Sequence, residues 1–209
     1  MSELKIREIE MPVHMYSIKC PYWMTADRVV IHNTANDASA ENEIEYMQSN
    51  YNQVSYHYAV DDKEAVLGSP LNRNTWHAGD GAYGDGNRKG IAIEICYSKS
   101  GGKRYDKAVD NALELTAQLM KQYNIPATNI MYHATWSGKH CPHRLLDSGV
   151  TLEVFRAKAK AKYSELYEGK AQKPQYQVVV GSFLHKENAN KRIKELKAKG
   201  FDSFIQIKN

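Results

Sequence analysis

IAIEICY, residues 91–97, is an apolar run of strand length broken by one carboxylate, Glu94. Seven residues rich in β-branched and aromatic side chains are too short for a buried helix and suit a strand buried on both faces. Four more such runs lie around it: Arg28–Asn33 (RVVIHN), Gln53–Val60 (QVSYHYAV), Ala65–Gly68 (AVLG) and Ile130–Ala134 (IMYHA). Helical patterns separate them. One covers Ser39–Gln48, with Ser39 placed as N-cap ahead of Asn42 and Glu43. The other covers Asp106–Tyr123, where Val109, Ala112, Leu113, Thr116, Leu119, Met120 and Tyr123 share one face. The alternation predicts an α/β body, a central mixed β-sheet flanked by helices. Residues 79–90 (GDGAYGDGNRKG) hold five glycines without periodicity and read as a long functional loop.

Beyond residue 150 the character changes. TLEVFRAKAKAKYSELYE, residues 151–168, reads as a further helix, with Leu152, Phe155, Ala159 and Tyr163 roughly aligned. GKAQKPQ, residues 169–175, reads as a polar linker. After it, Tyr176–Phe183 has a strand pattern, Lys186–Lys199 an amphipathic helical one stopped by Gly200, and Phe201–Ile207 a second strand pattern. The expected organisation is a body over 1–168, a linker, and a small βαβ unit over 176–209. A unit that short cannot bury its own sheet edges and needs a partner.

Charge follows the same division. Residues 1–150 carry 15 Lys/Arg against 18 Asp/Glu, and residues 151–209 carry 13 against 6. The basic segment suits an anionic surface such as nucleic acid, lipid headgroups or cell-wall polymer, or else forms the solvated faces of Lys-rich helices. No nucleic-acid recognition motif accompanies it, so a nucleic-acid partner is not expected. The N-terminus lacks the apolar core of a signal peptide and no run reaches membrane-spanning length, so synthesis in the cytoplasm without membrane insertion is expected. Three scattered cysteines, Cys20, Cys96 and Cys141, make no disulfide framework and leave a thiol free for metal.

HATWSGKHCPH, residues 133–143, gathers metal-capable side chains beside a lysine. His133 and Cys141 are both zinc-type donors, but no CxxC or HxxxH pair makes a self-standing finger, so a third ligand must come from afar. His14, His32, His57, His77 and His185 are candidates. His32 is favoured because it closes the strand RVVIH, and ligand sites gather at strand ends in open sheets. Three protein ligands with one open position is the arrangement of a catalytic zinc, which still needs a base and a cation. Glu94, costly in a buried run unless partnered, fits the base, with a buried Arg or Lys pair as the alternative. Lys139, two residues before Cys141, fits the cation, with a solvated lysine as the alternative.

The stretches VVIHNTA, VSYHYAVDD, TWHAGDG, GIAIEIC and HATWSGKHCP occur in this order within residues 25–145. In order and spacing they resemble the zinc N-acetylmuramoyl-L-alanine amidases of the type-2 amidase family, above all the endolysins of phages and prophages of Gram-positive bacteria. Peptidoglycan recognition proteins share that fold, and some bind without cleaving. The resemblance implies hydrolysis of the amide joining N-acetylmuramic acid to the L-alanine of the stem peptide, with bacterial peptidoglycan as partner. It implies one Zn2+ per chain on His32, His133 and Cys141, Glu94 as general base and Lys139 as oxyanion stabiliser. Tyr56 matches a position where some relatives place a catalytic tyrosine, although those using the glutamate often lack it; it is a candidate for catalysis, packing or substrate binding. Trp76, His77 and Asn87 match positions lining the substrate groove. A non-catalytic peptidoglycan recognition module is the alternative reading.

The C-terminal unit resembles one half of a SPOR-type repeat, a glycan-binding cell-wall module. A half module implies either a homodimer pairing two halves or a small anchor. With no secretion signal in view, release to the wall through holin-type lesions is the expected route.

Overall fold

The computed structural model describes residues 4–169 and 181–201, together with 203 and 205. The chain divides into two compact units, Met1–Ala171 and Gln172–Asn209. The first unit is built on a mixed six-stranded sheet in the order β1-β4-β3-β5-β2-β6, with β1 (Lys5–Glu8), β2 (Arg28–Asn33), β3 (Tyr58–Val60), β4 (Glu64–Leu67), β5 (Gly90–Ile95) and β6 (Ile130–Tyr132). Only the β3–β4 pair is antiparallel. β5 and β2 lie at the centre because their residues are apolar on both faces: Ile91, Ala92, Ile93, Val29, Val30 and Ile31 are wholly buried. β1, with Lys5, Arg7 and Glu8, is an edge blunted by charge.

The helices that accompany the sheet are α1 (Tyr16–Lys19), α2 (Ala40–Ser49), α3 (Asp85–Lys89), α4 (Gly102–Tyr123), α5 (Ala134–Ser137), α6 (His143–Asp147) and α7 (Leu152–Tyr163). Ser39 caps α2 as expected, its Oγ accepting the Asn42 N–H at 3.3 Å, and Asp61 Oδ2 accepts the Ala40 N–H. α4 buries a wider face than its periodicity suggests, adding Tyr105, Ala108, Asn111 and Leu115, because it lies between the sheet and α7. Phe155 and Ala159 of α7 are fully buried, with the Phe155 ring 5.8 Å from that of Tyr132. Arg156 reinforces the seam by donating to the carbonyls of Ile130 and Thr128. A π-helical turn, Ser164–Glu168, closes the expected helix.

Three local readings shift. β1 was not anticipated, since its four residues carry no apolar alternation strong enough to mark it. The strand expected from Gln53 begins at Tyr58. Upstream, the backbone turns aside to bond elsewhere, Ser55 N–H donating to the Trp76 carbonyl. The glycine-rich stretch 79–90 contains the short helix α3.

In the second unit, α8 (Lys186–Ala198) occupies the expected helix, followed by Gly200 at φ +82°. Residues 176–180 of the first expected strand lie outside the described residues, and 181–183 are irregular. Of the second, only 201, 203 and 205 are described. The homodimer expected from pairing these strands therefore has no support among the described residues. No helix among the described residues is long and apolar enough to cross a membrane.

Candidate active site

β5, β2 and β6 are adjacent and parallel, so their carboxyl ends share one edge of the sheet, where ligands of open α/β sheets bind. His32 is the fifth residue of β2 and Glu94 the fifth of β5, and the register places them directly opposite. Side chains at i and i+2 share a face, so a one-residue slip would turn either away from the other. His133 follows the last residue of β6, its N–H donating to the Ile31 carbonyl. Cys141 is drawn back to the same place by its carbonyl, which accepts the Ala134 N–H at 2.9 Å.

His32, His133 and Cys141, all buried, bring their donor atoms within 4.8 Å of one another. His32 Nδ1 lies 3.1 Å from His133 Nδ1 and 3.9 Å from Cys141 Sγ. Tetrahedral ligands at zinc bond lengths stand about 3.3–3.8 Å apart, so the cluster fits one such ion. Its chemistry fits too. Burial, with help from His77, His133 and Lys139, holds His32 well below its ordinary value, and burial with Lys139 lowers His133 to about 4. Both imidazoles are thus neutral donors at pH 7. The Cys141 thiol is pushed up to about 11 by burial and by Glu94, opposed by the Asn33 backbone N–H and Lys139.

Glu94 lies beside the cluster, Oε1 4.0 Å from His32 Nδ1, and its buried Oε2 has no hydrogen-bond partner. Burial and the nearby Glu43 push its carboxyl up to about 8, against the pull of Lys139. An orphaned carboxylate oxygen aimed into a cleft is a group awaiting a ligand. The cleft has a volume of about 530 Å³; His32, His133, Cys141 and Glu94 line it together with Lys139, Trp76 and Val54. A second hollow of about 280 Å³ adjoins it across Glu94 and Lys139 and is bounded by Thr34, Tyr46 and Tyr56. A triad that can hold a Lewis-acidic ion, a carboxylate and an ammonium in one cleft could together polarise a carbonyl, move a proton and offset negative charge on oxygen.

The remaining candidates separate clearly. Tyr56 is buried, with its hydroxyl donating to the Glu43 carbonyl at 2.8 Å and close to Glu43 Oε2, so it is tied to α2. Trp76 lines the cleft while its Nε1 donates to the Ile18 carbonyl. Asn87 reaches the cleft wall, but its Oδ1 accepts the N–H groups of His77 and Ala78 and its Nδ2 donates to Gly81. Its amide thus ties the loop together. His77 is buried against His32, Nδ1 3.0 Å from His32 Nε2. His57 is consumed structurally, Nε2 bonding the Arg73 carbonyl and Nδ1 accepting the Ala92 N–H. His14 and His185 are exposed and outside the cluster.

Sequence reading missed two residues. Glu43 lies on the buried face of α2 with Ala40, Ile44 and Met47, and an acid at that spacing was the available signal. Asn33 is the other: its Oδ1 accepts the Arg144 N–H at 3.0 Å and the Tyr105 hydroxyl at 3.3 Å, pinning the chain after Cys141 to the end of β2. Nothing local to its sequence announces that.

The fold and cleft define an α/β protein with a cluster able to hold a metal ion, beside a buried carboxylate, at a parallel strand edge. Residues 22–144 match the N-acetylmuramoyl-L-alanine amidase family profile, and the chain belongs to that family. Residues 152–206 match the SPOR domain profile; that match includes α7, which packs on α4 within the first unit. The chain is 52% identical over 142 residues to the N-acetylmuramoyl-L-alanine amidase CwlA of Bacillus subtilis (strain 168), covering 68% of this chain and 52% of that protein. It is 54% identical over 134 residues to the amidase XlyB of the same organism, covering 64% and 42%. The chain thus spans about half the length of the curated relatives it matches. Among solved structures, PlyL superposes with a TM-score of 0.72 at 51% identity, covering 75% of this chain and 97% of that one.

Proposed function

We propose that this chain is a zinc-dependent peptidoglycan hydrolase, cleaving the amide between the lactyl carbonyl of N-acetylmuramic acid and the nitrogen of L-alanine. The observation that carries it is the convergence of His32, His133 and Cys141 on one point beside Glu94 and Lys139. The family match and the relatives described as amidases support it. A recognition module that only binds would have no need of this carboxylate and ammonium at a donor triad.

In this reading His32, His133 and Cys141 hold the ion. Zinc, when bound, supplies a Lewis acid that polarises the amide carbonyl and acidifies water. Glu94 takes the proton of the attacking water and returns it to the alanine nitrogen as the C–N bond breaks. Lys139, exposed at the cleft mouth, reaches in to offset the charge developing on the carbonyl oxygen. Trp76 and Val54 supply apolar walls, and Tyr56 steadies Glu43 behind Glu94.

The SPOR-type segment is proposed as a wall anchor, supported by its profile match and basic composition. Delivery through holin-type lesions is part of the proposal, supported only by the resemblance to endolysins.

The test is to digest purified sacculi with and without a chelator, counting new alanine amino groups against new reducing ends. Alanine release that stops on chelation, and that falls about a hundredfold or more in Glu94→Gln with zinc retained, is expected. Sacculus binding without either product would leave the recognition module.

A further inference from the structure

His77 lines the cleft and also touches His32. We infer that His77 is a positioning residue, accepting a hydrogen bond from His32 Nε2–H and so presenting the His32 Nδ1 lone pair to the ion. This rests on the zinc reading above.

The geometry of the pair carries it. His32 Nε2 and His77 Nδ1 are 3.0 Å apart, with the two rings nearly perpendicular at 86° and centroids 5.1 Å apart. The other nitrogen of His32, Nδ1, is the atom facing both His133 and Cys141. A neutral imidazole carries one proton, so if Nδ1 is to donate a lone pair, the proton stands on Nε2 and needs an acceptor. His77 Nδ1 is the ring nitrogen that meets His32, while its Nε2 is buried without a hydrogen-bond partner. The contact between the two rings thus sets the tautomer of His32. Ligating histidines generally need such a partner at the second nitrogen.

The surroundings show that His77 is held for this task. Its backbone N–H donates to Asn87 Oδ1 at 2.9 Å, and Asp80 accepts the N–H groups of Gly86 and Asn87. A Cβ at Gly90 would lie 2.4 Å from the Gly86 carbonyl oxygen, and one at Gly86 would lie 2.6 Å from the Ala78 Cβ. The glycines therefore let the loop close tightly on the imidazole.

The experiment compares zinc affinity, by competition with a chromophoric chelator, in wild type, His77→Phe and His77→Asn. Phe fills the space without an acceptor, whereas Asn restores an oxygen near the Nδ1 position. Zinc affinity is expected to weaken about 10- to 100-fold in His77→Phe, with most of the loss recovered in His77→Asn. Unchanged zinc affinity in a folded His77→Phe, with a raised KM for sacculi, would return His77 to the groove and overturn the inference. Long-range 1H–15N spectra of metal-free wild type decide independently of any variant: His32 protonated on Nε2 is expected, and protonation on Nδ1 sinks it. Failure of the wild type itself to take up zinc would instead count against the metal reading.

Discussion

Cys141 and the two histidines differ in what they ask of an incoming ion. The imidazoles of His32 and His133 are already neutral at pH 7, while the thiol, pushed up to about 11, still holds its proton. Zinc uptake at neutral pH should therefore release about one proton, because only the thiolate coordinates. The sign follows: affinity should rise about tenfold per pH unit between 6 and 9, read by chelator competition and by proton release into an indicator. A pH-independent affinity would exclude Cys141 as the source. At this scale the sequence was most legible where a residue breaks its own pattern. Glu94 was such a residue, an acid in an apolar strand, and so were the crowded donors of 133–143. Illegible were residues whose meaning is purely tertiary. Lys19 is wholly buried, with Nζ donating to Asn50 Oδ1 and to the carbonyls of Asn52 and Val54, yet its neighbours in the chain give no hint of it.

Strands and helices were readable in proportion to how fully they are buried. β2 and β5 announce themselves by continuous apolar runs, and α2 by its cap, because these signals are local. β1 does not, since an edge strand has one neighbour and keeps charges that defend it. Its attachment to β4 depends on those charges: Arg7 forks onto Glu64 with three hydrogen bonds of 2.9–3.0 Å, and Lys5 adds a contact at 2.9 Å. The hydrogen bond to Arg7 holds the Glu64 carboxyl below its ordinary value. A depressed carboxylate stabilises the fold above its unfolded value of about 4.5 and loses that effect as pH falls through its folded value. Glu64→Gln should thus cost about 1 kcal/mol at pH 7 in urea unfolding, given partial solvent screening at Arg7. The difference should shrink below pH 4. An equal cost at both pH values would mean that packing rather than charge joins the strands.

At the scale of the molecule, the periodic elements predicted the layers but not which strand ends would meet, because strand order comes from packing. Even so, placing His32 at the close of a strand was enough to select it over the other histidines, since parallel central strands expose their ends together. The first unit owns one continuous core, from Leu4 through Ile31 and Ile93 to Phe155 and Ala159. α7 is part of that core even though the SPOR match begins at its first residue. A chain ending at 171 should therefore fold with unchanged Tm and zinc stoichiometry, whereas one ending at 150 should not. Retained alanine release with weaker sacculus retention is expected of the chain ending at 171; retention equal to the full chain would remove the anchor role from residues 172–209.

The two links from His32 to its fellow donors span 101 and 109 positions. An ion held there would be a staple across most of the first unit, and staples over long stretches remove the most disorder from the unfolded chain. The tip at Tyr83, 89% exposed, falls between the stapled ends. A protease that nicked the chain at that tip would leave two fragments still joined by the pairing of β2 and β3 with β5, and the ion would tie them once more.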